Sequence, residues 1–283
     1  MTVATSLARG KKLLAVYAHP DDEAFTAGGT FATFTDRGGR ITLICATRGE
    51  AGEISDPLLA MPATLGSVRE VELRGAMRHV GVSDIRFLGY RDSGMLGTAD
   101  NDDPRAFVNA DDARLRAQLL EILREIEPEI VLTFGEDGIY GHPDHVKAHH
   151  AASAAVIAYT AERRGEGPAL YYNAVPRERM QEMAKRTTGP FVDMTPEQLA
   201  QLGTPEALIT TRIDVSAQYD RKMAALLAHR TQFGPRGPLN EFPPDAVREW
   251  LSTERFRQIP TGGPHDGRDP LAQFARAAAV ASG

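Results

Sequence analysis

One imidazole and three carboxylates stand close together near the N-terminus, in the segment Ala18-His19-Pro20-Asp21-Asp22-Glu23. The apolar run before it, Leu13 to Tyr17, predicts a buried parallel strand, and the residues from Phe25 to Phe34 predict a helix. Open α/β sheets place their ligand sites at the carboxyl ends of strands. Four ionisable groups at such a turn repel one another unless a cation or a substrate compensates them. The alternative is an exposed acidic N-cap, because Asp is a favoured helix starter.

A second cluster of the same kind follows a later strand. The apolar residues Ile130–Phe134 lead through a glycine-rich turn to Tyr140, His142, Asp144 and His145. Both clusters have the local form His-Pro-Asp followed by Asp or His. Because the carboxyl ends of parallel strands meet at one edge of a sheet, we expect the two clusters to converge.

The residue types in these clusters predict metal-assisted hydrolysis. A catalytic Zn²⁺ typically takes three protein ligands and leaves one position for water. His19 and Asp22 are three residues apart, so on the first turn of a helix they face the same point. One imidazole from the second cluster completes the set, and Asp21 is then free to act as a general base beside the metal-bound water. His142 can protonate the leaving group or stabilise the oxyanion, with Asp144 orienting and charging that imidazole.

The first two-thirds of the chain alternate strand-like and helix-like segments. Strands are predicted at Leu13–Ala18, Arg40–Thr47, Asp84–Gly89, Glu129–Phe134 and Ala169–Val175. Helices are predicted at Ala24–Thr35, Ser67–Val80, Asp111–Ile126 and His145–Arg163. This alternation predicts right-handed βαβ units and an α/β fold with a doubly wound, mostly parallel sheet covered by helices on both faces. Two long loops, Gly49–Leu65 and Tyr90–Ala110, are expected over the same rim as His19.

Beyond residue 176 the pattern loosens. Helices are predicted at Arg177–Arg186, Ser216–Thr231, Asp245–Leu251 and Pro270–Ala281, and a strand at Ile209–Val215. We interpret residues 1–175 as the catalytic core. Residues 176–283 are interpreted as a small C-terminal extension that packs on the core and contributes to the substrate cleft.

Composition excludes several classes of protein. The chain has 283 residues, a formal net charge of −6 and no run of Lys or Arg, which argues against a dedicated nucleic-acid binder. No segment approaches the ~20 consecutive apolar residues of a membrane-spanning helix. The single cysteine, Cys45, cannot form an internal disulfide, so a reducing compartment is the simplest setting and we expect the cytoplasm. The sequence does not indicate an oligomeric state.

Taken together, the two histidine motifs resemble the signature pair of the PIG-L (LmbE-like) zinc-dependent de-N-acetylases. The similarity extends to three further segments, Thr47–Gly52, Arg69–Leu73 and Tyr90–Met95. It spans roughly residues 13–175, with weaker support from Lys222–Gln232. Either motif alone is suggestive, and the pair in this order is highly specific.

The resemblance implies a mononuclear zinc hydrolase on a Rossmann-like fold, which cleaves the N-acetyl group from an N-acetylglucosaminyl compound to give acetate and a free amine. The site residues that it implies are the metal ligands His19, Asp22 and His145, the general base Asp21, the electrophile or acid His142, the carbonyl-polarising Tyr140, and the sugar-binding Arg69 and Asp92. A site of two histidines and one aspartate accepts Fe²⁺ as well as Zn²⁺. The loop from Tyr90 to Met95 is most similar to the thiol-sugar branch, which contains mycothiol deacetylases and mycothiol S-conjugate amidases, with the bacillithiol-pathway deacetylases as further relatives.

Three alternatives remain at this point. The protein could be a thiol-conjugate amidase of the same family, or a phosphoesterase that uses two metal ions about 3.5–4 Å apart. It could also be a carbohydrate-binding protein without turnover. The last alternative is disfavoured because Asp21 and His142, the catalytic positions that are not ligands, are both present.

Other polar residues are given plainer roles. His149 and His150 are expected in packing or surface roles, although His149 lies one helical turn after His145. Glu23 could support a metal ligand or cap the helix. Three further histidines are expected on helices or in a loop without ligand-type partners nearby, and therefore in solvated or core roles: His79, His229 and His265. The pair Gly28-Gly29 lacks the pattern of a dinucleotide-binding loop.

Overall fold

The fold is built around one mixed, mostly parallel β-sheet. The computed structural model describes residues 8, 10–185, 191, 194–234, 237–261 and 269–276. The strands are β1 (Lys12–Tyr17), β2 (Arg40–Cys45), β3 (Asp84–Phe87), β4 (Ile130–Thr133), β5 (Ala169–Asn173), β6 (Thr211–Asp214) and β7 (Thr253–Ile259). These described strands form a seven-stranded sheet in the order β3-β2-β1-β4-β5-β7-β6. Only β7 pairs antiparallel, with β5 and with β6, so the predicted α/β fold with a mostly parallel sheet is confirmed.

Helices cover both faces of this sheet. They are α1 (Asp22–Asp36), α2 (Leu65–His79), α3 (Asp112–Ile126), α4 (Gly138–Gly141), α5 (Pro143–Glu162), α6 (Arg177–Met183), α7 (Pro196–Gln201), α8 (Tyr219–Ala228), α9 (Arg230–Phe233), α10 (Pro244–Leu251) and α11 (Pro270–Arg276). Helices α1, α2 and α8 pack together, and α3 packs along α5. Right-handed crossovers put these two groups on opposite faces, because the chain moves from β1 toward β3 in one direction and from β4 to β5 in the other. None of the helices that the structure describes combines the length and apolarity needed to cross a bilayer.

The strand order creates a crevice between β1 and β4. These two strands are neighbours in the sheet, but the chain leaves β1 toward β2 and leaves β4 toward β5. Such a reversal of strand order is where open α/β sheets bind their ligands. His19 follows β1 and the loop 134–142 follows β4, so both histidine clusters meet at this point.

Two parts of the extension differ from expectation. Strand β7, with the sequence Thr-Glu-Arg-Phe-Arg-Gln-Ile, was not predicted, because its charged residues hide the apolar signal. It exists because β5 and β6 supply hydrogen-bonding partners on its two sides. The prediction of a single helix at Ser216–Thr231 is wrong in one respect. The segment forms two helices, α8 and α9, because His229 between them has a non-helical conformation (φ −80°, ψ 62°). The expected last helix is described only as far as Arg276, and its remainder lies outside the described residues.

Two adjacent glycines, Gly28 and Gly29, let the extension pack directly on α1. A Cβ atom at Gly29 would lie 2.5 Å from the Cβ of Val215. Glu254 of β7 accepts the Gly29 N–H at 2.8 Å and the buried Lys222 ammonium at 2.7 Å. The extension is therefore tied to the helix that begins at the His19 cluster, and this contact explains a glycine pair that does not belong to a dinucleotide loop.

Replacing Gly29 by Ala is expected to lower the free energy of unfolding by about 1–3 kcal/mol, because the new methyl group overlaps Val215. Gly75 on α2 is the matched control, since a Cβ atom there meets no heavy atom within 4 Å. Gly75→Ala is expected to raise the free energy of unfolding by about 0.4–1 kcal/mol. Urea unfolding of both variants tests the packing, and equal stability of the two variants would contradict it.

Candidate active site

His19 lies just after β1 and presents its two ring nitrogens to different partners. Its Nε2 is 3.1 Å from Asp144 Oδ2 and 3.4 Å from Asp92 Oδ1. Its Nδ1 is 3.2 Å from His145 Nε2 and 3.5 Å from Asp22 Oδ2. The nitrogen that faces two carboxylates carries the proton, because a carboxylate can only accept. The lone pair of Nδ1 therefore points toward Asp22 and His145.

His145 is fixed in the complementary orientation. Its Nδ1 lies 3.0 Å from the carbonyl oxygen of Gly138, which can only accept, so Nδ1 carries the proton. Its Nε2 lone pair faces His19 and lies 3.2 Å from Asp22 Oδ1. The ring stacks on Phe134 with a centroid distance of 4.1 Å and an interplanar angle of 6°. Both histidines thus direct an unprotonated nitrogen to one point.

The donor set at this point fits a divalent metal ion. The His19 Nδ1, His145 Nε2 and Asp22 carboxylate atoms are separated by 3.2, 3.2 and 3.5 Å. Two lone pairs and a carboxylate repel one another at this distance unless a cation lies among them. Ligands that surround a tetrahedral ion at about 2.0–2.1 Å lie ~3.3 Å apart, which matches the observed spacing. The structure therefore brings these three predicted ligands together. We call them the metal-binding set, and their role as ligands stays a prediction.

Two overlapping groups also have ligand atoms within 4.8 Å of one another, namely His19 with His142 and His145, and His19 with Asp92 and Asp144. The hydrogen bonds of His142, Asp92 and Asp144 indicate other roles for these three residues. His142 uses Nδ1 to accept the Asp144 N–H at 3.2 Å. Asp92 and Asp144 hold the protonated side of the His19 ring, as carboxylates do behind metal-binding histidines.

The carboxylates of this cluster create a negative electrostatic potential, which favours a positive charge among them. Burial by itself lowers the pKa of His19. The carboxylates of Asp92, Asp144 and Asp22 outweigh this effect and raise the pKa well above its ordinary value. Burial by itself raises the pKa of Asp22, but His145 and His19 hold it well below the usual range. A cation bound among these ligands meets the same electrostatic demand.

Asp21 stands beside the metal-binding set in an unusual backbone conformation. Its φ of 121° is one that side-chain-bearing residues rarely adopt, and such strain concentrates at functional sites. The Asp21 N–H donates to Glu23 Oε2 at 3.0 Å, and Arg69 donates to Asp21 Oδ2 at 3.2 Å. Burial raises the pKa of Asp21 to about 6, against the opposing charge of Arg69. A carboxyl group that titrates near neutral pH is suited to proton transfer.

Glu23 has a partner that the sequence analysis missed. Its side chain is fully buried, and Oε1 lies 3.0 Å from Nε2 of the fully buried His229. The core role expected for His229 agrees with its burial, but the expectation that it has no carboxylate near it is wrong. The two residues are 206 positions apart, so no local pattern could reveal the contact. His79 is exposed, and His265 lies outside the described residues.

His142 is held as a neutral hydrogen-bond donor. Its Nδ1 accepts the Asp144 N–H at the start of α5, which leaves the proton on Nε2. Burial and the neighbouring His19 and His145 lower the pKa of His142 to about 2. The carboxylate of Asp144 does not orient this ring as predicted; it contacts His19 and accepts the Ser93 N–H at 3.0 Å. Asp144 therefore positions His142 through its backbone and His19 through its side chain.

Tyr140 borders the same space from the loop after β4. Its ring meets His142 edge-on at 6.0 Å and His145 at 5.2 Å. Burial raises the pKa of the Tyr140 phenol, so the hydroxyl stays protonated. The preceding Ile139 has φ 68° and ψ −62°, a strained conformation for a β-branched residue, which sets the direction of the loop.

Arg69 and Asp92, predicted to bind the sugar, are both buried in contacts with the protein. Arg69 donates to the carbonyl oxygens of Gly49 at 2.9 Å and Pro20 at 2.7 Å. Asp92 accepts the Gly94 N–H at 2.9 Å. Their role in sugar binding stays a prediction, while the described contacts stabilise the loops around the two histidine clusters.

The two long loops meet at this rim. Asp92 of the second loop accepts the Ala51 N–H of the first at 3.2 Å, and Glu50 accepts the Asp92 N–H at 3.1 Å. Arg48, just before the first loop, pairs with Glu70 of α2 at 2.6 Å. His149 lies away from the cluster, buried, with its Nδ1 3.0 Å from the carbonyl oxygen of Phe134.

A cavity of about 380 Å³ opens beside the metal-binding set. Its walls include residues of both clusters, namely Asp21, Asp22, Tyr140 and His145. The extension adds a mostly apolar wall, which includes Met180, Phe191, Phe242 and Trp250. The volume lies in the range of roughly 300–1,000 Å³ that small-molecule sites occupy. The extension was expected to contribute to the cleft, but the sequence did not indicate which of its residues form the wall, because they come from three separate segments.

Residues 14–156 match the PIG-L family, which is described as GlcNAc-PI de-N-acetylase. A protein of Salinispora arenicola named 1D-myo-inositol 2-acetamido-2-deoxy-alpha-D-glucopyranoside deacetylase is 38% identical over 290 aligned positions, which cover 96% of this chain and 93% of the relative. The chain belongs to the PIG-L family. A protein of the same name from Acidothermus cellulolyticus is 43% identical over 242 positions, 81% of this chain and 82% of the relative. The predicted activity of a PIG-L enzyme, hydrolysis of the N-acetyl group of an N-acetylglucosaminyl conjugate, is confirmed.

Two solved structures share the fold of this chain. The N,N'-diacetylchitobiose deacetylase of Pyrococcus horikoshii is 20% identical, with a TM-score of 0.56 over 91% of this chain and 88% of its own. The 4-carboxy-2-hydroxymuconate hydratase of Pseudomonas putida KT2440 is 21% identical, with the same TM-score of 0.56 over 88% of this chain and 96% of its own. Because one fold carries both names, the fold alone does not decide the reaction.

Replacing Asp144 by Asn is expected to weaken metal binding about 10–100-fold, because the His19 N–H loses a charged acceptor. Titration against a competing chelator measures the affinity. Asp100→Asn is the control, since Asp100 lies in the second loop and pairs with Arg91 away from the cluster. Unchanged affinity in Asp144→Asn would contradict the assignment of the two nitrogens of His19.

Proposed function

We propose that this enzyme removes the acetyl group from an N-acetylglucosamine linked to inositol, releasing acetate and the free amine. The observation that carries the proposal is a cavity lined by Asp22, His145 and the carboxylate of Asp21, with the neutral imidazole of His142 packed against the rings of His19 and His145. The names of relatives that are 38% and 43% identical support the inositol-linked substrate. Their alignments cover 93% and 82% of those relatives, so the similarity includes the extension that closes the cavity.

We propose Zn²⁺ as the ion, held by His19, Asp22 and His145. Two imidazole nitrogens and one carboxylate are a donor set that catalytic zinc sites use, and Fe²⁺ is accepted by the same set. When bound, the ion supplies Lewis acidity that polarises a carbonyl group and acidifies water.

The side chains around the ligands divide the proton transfers and the charge stabilisation. Asp21 accepts a proton from the attacking water, and its pKa of about 6 lets it return this proton to the leaving amine. His142 presents a neutral Nε2–H, and Tyr140 a phenolic O–H, for the oxygen of the amide as negative charge develops there. The apolar wall of the cavity excludes water from these contacts and strengthens them.

The apolar wall also favours a second substrate class, the thiol-conjugate amides. Phe25, Met180, Phe242 and Trp250 line the cavity and would bury an apolar substituent more favourably than a hydroxyl. A panel that compares N-acetylglucosaminyl-inositol with amides bearing larger thiol conjugates, scored by amine release with Zn²⁺ and with Fe²⁺, ranks the two classes. A higher kcat/KM for the conjugates would replace the first proposal by the second.

We also propose that the protein works in the cytoplasm. Cys45, the only cysteine of the chain, is a buried thiol in β2, and burial raises its pKa well above the ordinary value. Such a thiol is an apolar core residue, which a reducing compartment preserves. Fractionation of the source cells locates the protein.

Asp21→Asn is expected to lower kcat about 10²–10⁴-fold, because the amide side chain cannot accept the proton from water. The zinc content should stay at that of the wild type, since Asp21 is not among the ligands. Amine release and metal analysis on the same preparation measure both quantities. Asp112→Asn, a change of an exposed carboxylate, serves as the control. Full activity of Asp21→Asn would refute the assigned base.

His142→Asn is expected to lower kcat about 10²–10³-fold, as for the loss of an oxyanion donor. Asparagine is itself a good N-cap, so α5 should keep its start. Metal analysis separates the possible roles of this residue. Retained zinc agrees with a donor role, whereas loss of zinc would mean that His19, His142 and His145 form the ligand set.

A further inference from the structure

We propose that His229 is a positioning residue for the general base Asp21 and that it acts through Glu23. This proposal rests on the function proposed above, because it assigns His229 and Glu23 to the support of the proton-transferring carboxylate. His229 comes from the C-terminal extension and Asp21 from the turn after β1, so the proposal also gives the extension a part in catalysis.

Asp21 has a strained backbone conformation that its neighbours must hold. A residue with a side chain keeps a φ of 121° only when surrounding contacts hold it there. On one side, Arg69 donates to the Pro20 carbonyl at 2.7 Å and to the Asp21 carboxylate at 3.2 Å. On the other side, the Asp21 N–H is held by Glu23 Oε2 at 3.0 Å. The direction of the Asp21 side chain therefore depends on the position of the Glu23 carboxylate.

The orientation of the Glu23 carboxylate is fixed by two hydrogen bonds. Its side chain is fully buried, and its two oxygens have different partners, with Oε2 on the Asp21 N–H and Oε1 on His229 Nε2 at 3.0 Å. A buried carboxylate needs partners for its charge, and the His229 imidazole is the titratable group that faces Oε1. Without His229, Glu23 would turn toward another donor, and the Asp21 N–H would lose its acceptor.

A histidine at position 229 is unfavourable for packing alone, because it buries a polar atom without a partner among the described residues. Among the contacts that the structure describes, the fully buried His229 Nδ1 has no hydrogen-bond partner. An apolar side chain would fill the same core space without an unpaired polar atom. Within the described part of the chain the ring makes one hydrogen bond, to Glu23, so this bond is the feature that requires an imidazole.

The neighbouring residues offer a separate, purely structural tie. Thr231 donates its N–H and its hydroxyl to Glu72 on α2, at 2.9 and 2.6 Å. This contact joins the same segment of the extension to the core, but it does not reach Asp21. Thr231 is therefore a matched control for the effect of loosening the segment.

The experiment compares variants of the zinc-loaded, full-length enzyme. His229→Leu is expected to lower kcat about 10–100-fold with little change in KM, as for a small displacement of a catalytic group. His229→Gln, which keeps an N–H donor of similar reach, should recover most of the activity, whereas the shorter side chain of His229→Asn should not. Thr231→Val should lower the melting temperature without changing kcat. Equal activity of the Gln and Asn variants would overturn the proposal, and this comparison holds even if His229→Leu does not fold.

A double-mutant cycle tests whether His229 acts through Asp21. In an Asp21→Asn background, His229→Leu should cause no further loss of kcat, because the group that it positions is already absent. Independent, multiplicative losses would overturn the proposal and leave His229 with a general structural role.

A crystal structure of His229→Leu separates this proposal from the proposed function. We expect Asp21 to leave its positive φ and its contact with Glu23, a change that does not depend on turnover. If the wild type releases no acetate while Asp21 relaxes in the variant, the proposed function fails and the positioning contact stands. If Asp21 keeps its conformation while the wild type is active, the positioning proposal fails by itself.

Discussion

The site depends on one electrostatic constraint, the concentration of buried carboxylates around a single imidazole at the end of β1. Asp92 and Asp144 hold one side of His19, and Asp22 and His145 face the other. Burying so much negative charge is unfavourable unless cations compensate it. The His19 Nε2–H donates to the carboxylates on its side of the ring, and the Nδ1 lone pair is then directed toward the metal-binding set. One choice of tautomer thus divides the surrounding groups into ligands and supporting carboxylates.

The C-terminal extension adds strands to the sheet of the core and residues to the cavity. It extends the sheet with β6 and β7, and Glu254 joins it to α1 through Gly29 and Lys222. It also supplies the apolar wall of the cavity and the His229 imidazole behind Glu23. A core without these contacts would expose its metal-binding set to bulk water, where the hydrogen bonds of the catalytic groups are weaker.

Residues within one motif were easier to predict than residues that meet across the fold. His19 and Asp22 lie between the end of β1 and the first turn of α1, and His145 lies near the start of α5. Because the carboxyl ends of neighbouring parallel strands meet at one edge of the sheet, the sequence predicted that all three residues converge. The role of the Asp144 side chain was not accessible in this way, because its partner His19 is 125 residues away. Because Asp144 is close to His142 in sequence, its carboxylate was expected to orient His142, whereas it contacts His19. Arg69 and Asp92 illustrate the same limit, since their present contacts are set by loop packing rather than by spacing.

The sequence alone determined the fold class, the family and the two clusters, because strand periodicity, helix caps and short motifs are local properties. It also determined the chemistry, since the donor types within each cluster suit few reactions other than metal-assisted hydrolysis. The tertiary structure alone decided which nitrogen of His19 and of His145 faces Asp22, where the Asp144 carboxylate points, and that Glu23 meets His229. These features depend on the strand order and on side chains more than 100 residues apart, whose contacts exist only in the packed chain. Glu23, a possible helix cap in the sequence, becomes in the structure the link between the extension and the strained turn at Asp21.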